Sequence, residues 1–266
     1  MATVFQTPVS CPAHASLGSL SELTGLGRRL EVAVAGKFSA GGRDHEIPRL
    51  HFAGDYAGHD PIRLGLFAGV HGDEPAGCAA LVKFAAALAA EPERAAGYEL
   101  FIYPIVNPAG YENGTRENHA GKDLNREFWR DSAEPEVRAI EAELRARRFA
   151  GIITLHADDT SEGVYGYAHG RTLNEALLKP ALRAASRLLP LDERAVIDGF
   201  AAREGLICDC FEGVLAAPPE QQPQPFDLIF ETPARAPLDL QVAAMVAALD
   251  AIIAVYPGFI AYAQDL

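Results

Sequence analysis

The chain has 266 residues, of which 49% are hydrophobic and 22% charged, so it can bury an extensive core and is not an intrinsically disordered chain. Its net charge of −13 argues against a nucleic-acid partner, because no block of Lys and Arg offsets the repulsion from phosphates. We also expect no membrane partner, because no apolar run reaches the ~18–20 residues that span a bilayer. Oligomeric state stays open.

The N-terminus has neither a basic segment nor an apolar segment of the signal-peptide type, so none is predicted. Four cysteines are too few for a disulfide scaffold in a chain of this length, and the spacing of Cys208 and Cys210 is too tight for a metal knuckle. With Cys11 and Cys78 they are interpreted as free thiols in a reducing compartment, which predicts a cytoplasmic location. Cys208 and Cys210 are expected to be small buried hydrophobes, with pocket lining as the alternative.

The predicted elements begin after a surface arm at residues 1–27, which is rich in Ser, Gly, Pro and Ala. Period-two alternation at 30–36 and 49–54 indicates a hairpin closed by a Gly-Gly turn. Further strands are predicted at 62–70, 99–106, 151–155, 164–167 and 227–230. Helices are predicted at 75–90, 135–148, 172–189 and 238–255, and the four prolines of 216–226 indicate a loop.

Strands and helices alternate without an internal repeat or a linker. The expected fold class is therefore α/β: a single domain over 1–266, with its core at about 28–255. We expect a central mixed, largely parallel and twisted sheet flanked by helices.

Polar residues follow four of the predicted strands. His71, Asn107, His156 and Glu231 each come directly after an apolar run. In open α/β sheets, sites gather at the carboxyl ends of strands. The sequence therefore predicts a site at one edge of the sheet.

His71 and Glu74 form an H-x-x-E pair at a predicted helix start, a spacing that places both side chains on one face. With His156 they make two imidazoles and one carboxylate, a recurring ligand set for catalytic zinc that leaves a position for water. Such an ion lowers the pKa of its water toward ~7. One Zn²⁺ per chain is the expected cofactor. Taken singly, each residue also fits a bland interpretation, as a turn or core-edge histidine or a first-turn carboxylate.

Zinc-dependent hydrolysis also needs a proton carrier and a group that stabilises an oxyanion. Glu231 ends an apolar strand and is the best candidate base, although a surface carboxylate would look the same. Arg116 and Arg126 lie in a Gly- and Asn-rich segment, and either suits an oxyanion or a fixed carboxylate. Alone, each arginine is more often a solvated surface residue.

The ordered combination resembles the zinc metallocarboxypeptidase family over about residues 60–255. The resemblance rests on H-x-x-E at 71–74, N-P-x-G at 107–110, Arg116, D-L-N-R at 123–126, His156 and Glu231. That family includes carboxypeptidase A-like enzymes, murein peptide amidases and the succinylglutamate desuccinylase/aspartoacylase branch.

The resemblance implies a role for each matching residue. It implies zinc binding by His71, Glu74 and His156, carbonyl polarisation by Arg116, substrate-carboxylate binding by Asn125 and Arg126, support of the first zinc histidine by Asp123, and general base and acid catalysis by Glu231.

The chain also departs from the family's pattern. Carboxypeptidase A-like enzymes carry a tyrosine on a mobile loop before the catalytic Glu, but here no Tyr lies between Tyr167 and Tyr256. Ala157 stands where digestive-type members usually have Ser. One helix and a tail follow Glu231, so a minimal catalytic domain near the murein peptide amidase layout is expected. The specificity pocket is expected within 201–226.

The expected function is a zinc-dependent metallocarboxypeptidase or exo-amidase, acting on a small peptide or peptide-like substrate beside a free carboxylate. The runner-up is an N-acyl amino acid deacylase that uses the same chemistry. A third hypothesis is a non-catalytic binding module on a degenerate hydrolase scaffold, which loss of Glu231 or a zinc ligand would indicate. Asp158 and Asp159 fit a second cation, repulsion of acidic substrates or a solvated loop equally well.

Overall fold

The computed structural model describes residues 29–264, apart from the side chains of Arg171 and of 262–264. The predicted N-terminal arm and Cys11 lie outside the described residues. The strands are β1 (Leu30–Ala40), β2 (Arg43–Ala53), β3 (Ile62–Ala68), β4 (Tyr98–Tyr103), β5 (Gly151–Asp158), β6 (Tyr165–Ala168), β7 (Val196–Ile197), β8 (Phe200–Arg203), β9 (Leu206–Ile207) and β10 (Phe226–Pro233). The main helices are α1 (Pro75–Ala90), α2 (Pro108–Asn113), α3 (Pro135–Arg147), α4 (Arg171–Leu173, Asn174–Leu178 and Lys179–Ala185 in succession) and α5 (Leu238–Gln264).

All ten strands belong to one sheet, in the order β1-β2-β4-β3-β5-β10-β6-β9-β8-β7. The central strands β4, β3, β5 and β10 are parallel to one another. The hairpin β1–β2 adds to β4 in antiparallel orientation, and β6 adds to β10 in the same way. The predicted fold class, a mixed sheet with largely parallel core strands, is confirmed.

Helices cover the sheet on two faces. The helices α1, α4 and α5 share one buried apolar cluster with inward side chains of the central strands. The helix α3 forms a second cluster against the opposite face. Because strand residues alternate between faces, β5 directs Leu155 toward the first cluster and its neighbour His156 toward the α3 side. The core strands therefore present polar residues on the α3 side without opening the first cluster.

The structure corrects the placement of two predicted site residues. His156 and Glu231 were expected to follow their strands, but β5 continues to Asp158 and β10 to Pro233. The two residues occupy paired positions on neighbouring parallel strands. Extended backbone therefore holds both.

Two other segments also differ from expectation. The helix predicted at 172–189 is divided in three, with a π-helical turn at Asn174–Leu178. The strands β7, β8 and β9, of two to four residues, were not predicted. The Gly41–Gly42 turn of the first hairpin has positive φ at both residues, as predicted for this pair of glycines.

One helix in the described part of the chain, Leu238–Ala261 within α5, is long and apolar enough by length and composition to cross a membrane. This differs from the expectation that no run reaches that length. Met245, Leu249 and Ile252 of this helix are fully buried in the core cluster. Core helices pass the same test, so length and composition are weak evidence for a membrane span.

Candidate active site

The turn that carries His71 interlocks with the start of α2. A side chain at Gly72 would place its Cβ 2.0 Å from the carbonyl carbon of Gly110. A side chain at Gly110 would in turn collide with the amide of Asn107, at 2.4 Å. Neither position therefore has room for a Cβ. Two neighbouring close contacts, of Gly72 with the Gly110 backbone and of Gly110 with the Asn107 side chain, explain the glycines of H-G-D-E and N-P-A-G.

Asn107 holds this junction together and is fully buried. Its Oδ1 accepts a hydrogen bond from Gly110 N at 2.9 Å, which caps α2. Its Nδ2 donates to Val70 O at 3.4 Å and to Arg116 O at 3.5 Å. Asn107 was expected among the reactive residues at the sheet edge. Its contacts instead make it a structural link between the His71 turn and the Arg116 segment.

The three predicted metal ligands come together in the interior. His71 Nδ1 lies 2.5 Å from Glu74 Oε1, and His156 Nδ1 lies 2.8 Å from Glu74 Oε2. Their potential ligand atoms are all within 4.8 Å of one another, and all three residues are buried. This donor set of two imidazole nitrogens and a carboxylate suits a divalent ion such as zinc.

The electrostatics of this cluster also fit a cation. Burial alone would lower the pKa of His71, but Glu74 and Asp123 together raise it to about 9. The two imidazoles hold the pKa of Glu74 well below its usual range, against the effect of burial. Burial lowers the pKa of His156, so this ring is neutral and can offer a nitrogen lone pair to a metal ion. A metal ion would replace the proton that His71 and Glu74 share.

Asp123 lies behind His71. Its Oδ1 is 3.1 Å from His71 Nε2, the nitrogen that faces away from Glu74. A carboxylate in this place fixes the tautomer of the ring and directs the lone pair of Nδ1 toward the ligand cluster. Asp123 Oδ2 also accepts from Arg116 Nε and Nη2, at 3.3 and 3.1 Å. The structure therefore brings together the predicted supporting carboxylate and the predicted carbonyl-binding arginine.

Asn125 and Arg126 follow Asp123 in a short 3-10 helix, Leu124–Arg126. The side-chain oxygen of Asn125 accepts from Leu215 N at 2.9 Å, which leaves its NH₂ group as the available donor. The Arg126 guanidinium lies over the ring of Phe211, 4.2 Å from its centroid. Stacking positions a guanidinium while leaving its N–H edge available to a carboxylate.

Glu231 lies beside His156 on the neighbouring strand. Burial, and then the negative charges of Glu74, Asp158 and Asp198, raise its pKa well above the usual range of a carboxyl group. A raised pKa makes the ionised carboxylate a stronger base than an ordinary surface carboxylate, which suits a proton carrier.

All these side chains except Asp123 and Asn107 line one cavity of about 430 Å³. The cavity also contains residues that the sequence interpretation did not assign to the site, among them Asp73, Tyr165, Tyr167, Asp198 and Ile229. Phe211 and Val214, which also line it, lie within the segment 201–226 where the specificity pocket was expected. Asp158 and Asp159 also line it, and Asp158 accepts hydrogen bonds from Tyr165 and Thr160. Asp158 is therefore an ordered wall residue rather than part of a solvated loop.

Two tyrosines stand on the sheet beside Glu231. Tyr165 pairs with Glu231 across β6 and β10, and Tyr167 pairs with Ile229. Their hydroxyls donate to Asp158 at 3.0 Å and to Asp198 at 2.8 Å. Burial and the nearby Glu231 raise both tyrosine pKa values, so both hydroxyls stay protonated. The alternation in Tyr165-Gly166-Tyr167 is the sequence signal that identifies them as one face of a strand.

Cys208 and Cys210 are exposed, so the preference for buried small hydrophobes is wrong. Cys210 lines the catalytic cavity, and both cysteines line its neighbour. The loop between β9 and β10 turns these side chains toward the cavities rather than the core. The alternative interpretation, pocket lining, describes them.

Comparison with known proteins agrees with this geometry. Residues 61–189 match the family model of the succinylglutamate desuccinylase/aspartoacylase catalytic domain. The fold is similar to that of a protein from Shewanella denitrificans OS217 assigned as a metallopeptidase, at 25% identity and a TM-score of 0.75, covering 96% of this chain and 95% of that one. The family-model match and the fold together support the zinc carboxypeptidase-like superfamily for this chain. Members of this superfamily are metallohydrolases, and this chain is an enzyme of that class.

Further structures extend the likeness. A second protein assigned as a metallopeptidase, from Shewanella amazonensis SB2B, has 26% identity and a TM-score of 0.72, covering 91% of each chain. A metallo-carboxypeptidase from Pseudomonas aeruginosa in complex with (2-guanidinoethylmercapto)succinic acid has 19% identity and a TM-score of 0.70, covering 94% of this chain and 70% of that one. The latter likeness shows the fold alone. No curated protein sequence matches the chain.

Proposed function

We propose that this superfamily member is a zinc-dependent metallocarboxypeptidase or exo-amidase that hydrolyses an amide bond next to a free carboxylate. One observation carries the proposal. The predicted ligand cluster, the half-buried Glu231 and the pair Asn125–Arg126 all open onto the same cavity. Metal, proton carrier and carboxylate-binding groups are the parts that such a reaction needs.

His71, Glu74 and His156 would hold the ion. A bound zinc ion supplies Lewis acidity, which polarises a carbonyl oxygen and lowers the pKa of water. Asp123 orients the first of these ligands through its contact with His71 Nε2.

The positions of Asn125 and Arg126 support cleavage of the amide bond next to a terminal carboxylate. A substrate carboxylate can accept from the NH₂ group of Asn125 and from the guanidinium of Arg126. These donors lie on a short helix packed against the 213–215 segment, so their distance from the ligand cluster is fixed. The succinic acid derivative bound to the Pseudomonas protein is a carboxylate ligand of the kind expected here.

Glu231 would move the protons of the reaction. It accepts a proton from the attacking water, and returns one to the nitrogen of the departing amine. Its raised pKa suits both steps. Arg116, released from part of its contact with Asp123, would donate to the carbonyl oxygen as negative charge develops there.

A second candidate function keeps the same residues and takes N-acyl amino acids. The match of residues 61–189 to the succinylglutamate desuccinylase/aspartoacylase catalytic domain favours it. Both reactions release an amino acid with a free carboxylate, so Asn125 and Arg126 serve either one.

A substrate panel tests the proposal. Zinc-loaded protein is incubated with free-carboxylate peptides, the same peptides as C-terminal amides, muropeptides and N-acyl amino acids, and products are identified by mass spectrometry. We expect loss of single C-terminal residues or cleavage of a muropeptide amide, with the amidated peptides intact. Release of an acyl acid alone would show that the protein is a deacylase and not a carboxypeptidase. Internal cleavage of amidated peptides would contradict an exo-acting enzyme.

A further inference from the structure

A second cavity adjoins the catalytic one and is larger, at about 720 Å³. The two cavities share wall residues: Tyr167, Cys210, Val214 and Ile229. The two cavities are therefore direct neighbours along this shared wall. The second cavity contains none of the predicted metal ligands and neither Asn125 nor Arg126.

Strand β10 connects the two cavities. Glu231, Ile229 and Asp227 are two residues apart, so their side chains point from the same face of the strand. Glu231 lines the first cavity, Ile229 lines both and Asp227 lines the second. Positions 231 and 227 are ~13 Å apart along the strand, at ~3.3 Å per residue.

Asp227 is a carboxyl group for which the described part of the chain supplies no cationic neighbour. Its Oδ1 accepts one hydrogen bond, from Ala217 N at 2.8 Å. Among the side chains that the structure describes, neither Lys nor Arg lines this cavity. Several of its walls are apolar, including Leu173, Phe226 and Phe259. Burial raises the pKa of Asp227 to about 7, as expected for a carboxyl that has lost water and gained no counter-ion.

We propose that the second cavity receives the side chain of the released residue, and that Asp227 selects a long aliphatic side chain ending in an ammonium or guanidinium group. The apolar walls suit the three or four methylenes of such a side chain, and the carboxylate suits its charged end. The ~13 Å between positions 231 and 227 leaves room for the scissile bond, the α-carbon and this stem. The inference rests on the proposed function, and holds for a peptide or an N-acyl amino acid because both release an amino acid.

The test compares lysine with norleucine, which keeps the four-carbon stem and lacks the ammonium. The value of kcat/KM is measured for peptides and Nα-acyl compounds ending in either residue. The proteins are the wild type, Asp227→Asn and Asp209→Asn. Asn at 227 can still accept from Ala217 N, and the exposed Asp209 at the cavity wall provides the same change of charge.

We expect the wild type to prefer lysine at least about tenfold, the effect of one charge-assisted hydrogen bond in a desolvated site. In Asp227→Asn this ratio falls to about one, and in Asp209→Asn it persists. A wild type that treats both residues alike, or prefers norleucine, overturns the inference and leaves the proposed function in place, and this result needs no variant. An equal loss of the lysine preference in Asp209→Asn also overturns the inference. The overall negative charge around the cavity, and not Asp227 itself, would then cause the preference.

A binding measurement separates the two proposals if no substrate is hydrolysed. The melting temperature is recorded with free L-lysine and with L-norleucine. Stabilisation of the wild type by lysine alone, absent in Asp227→Asn, supports the pocket although the proposed reaction has failed. Equal responses to both amino acids overturn the pocket as well.

Discussion

The two sides of the catalytic cavity are built differently. On the inner side, the turns after β3 and β4 and the segment 123–126 hold polar groups that bind one another. One unbroken chain of contacts runs from Arg116 through Asp123, His71 and Glu74 to His156. On the outer side, β6 and the 208–216 segment contribute tyrosines, exposed thiols and apolar residues around an elongated space.

This difference indicates which side carries out the reaction and which side selects the substrate. A closed polar network fixes its members in one geometry, and reaction chemistry needs such preorganised groups. The outer side leaves a carboxyl group with one hydrogen bond and adjoining space, which suits recognition of variable groups. Changes on the inner side should therefore alter turnover of every substrate, and changes on the outer side should alter the choice among substrates.

Removal of the metal should have the largest effect. We expect turnover to fall below detection after EDTA treatment and to return with about one equivalent of Zn²⁺, because the proposed carbonyl and water activation both require the ion. Elemental analysis should find about one zinc per wild-type chain and none in His156→Ala. Full turnover by a preparation shown to be metal-free would contradict the proposed role of the inner side.

Glu231→Gln should come next. The amide keeps the size of the side chain and cannot accept a proton, so kcat should fall by about 10²–10⁴-fold for all substrates. Zinc content, measured on the same preparation, should not change. If the loss differs strongly between substrates, Glu231 acts in recognition, and the division between the two sides fails.

Arg126→Ala should have a smaller effect, seen mainly in KM. Loss of one charged hydrogen-bonding partner should raise KM for free-carboxylate substrates by about 10–100-fold. The matched control is Arg130→Ala, since Arg130 pairs with the exposed Glu212 and does not line the cavity. An equal rise of KM in both variants would show that general positive charge, and not the position of Arg126, holds the carboxylate.

Asp227→Asn should change stability in a pH-dependent way. The carboxyl ionises near 3.8 in an unfolded chain and at about 7 in the fold, so the unfolded state loses its proton first as pH rises. Wild-type stability relative to the variant therefore falls between about pH 4 and 7. Urea unfolding at pH 8 should show the variant about 1–4 kcal/mol more stable, with the difference absent at pH 4. A difference that does not vary with pH would show that Asp227 is not buried as an uncompensated charge.

Sequence reasoning described the central layers well, because long apolar runs and amphipathic segments fix the core strands and helices. The helix at 75–90 has its predicted bounds, and the central parallel strands lie where apolar runs predict them. The inner side of the site could also be proposed from short motifs, because turns at the ends of buried strands bring His71 and Asn107 to one place. The roles of these residues remain proposals.

The structure of the outer side could not be predicted from the sequence in the same way. The strands β7 and β9 have two residues each, too short for any periodicity. The pairing of Tyr165 with Glu231 depends on the register of distant segments, which no local pattern contains. Asp227 looks like the first residue of an apolar strand, and only the fold shows that its side chain enters a cavity.

Strand β10 carries the proposed proton carrier, Glu231, and the proposed selecting carboxyl, Asp227, on one face. Side chains on one face of a strand recur every ~6.6 Å, so an acid at position 229 in place of 227 would lie that much nearer to Glu231. The double exchange Asp227→Ile and Ile229→Asp should therefore leave too little room for a long cationic side chain and remove the preference for lysine.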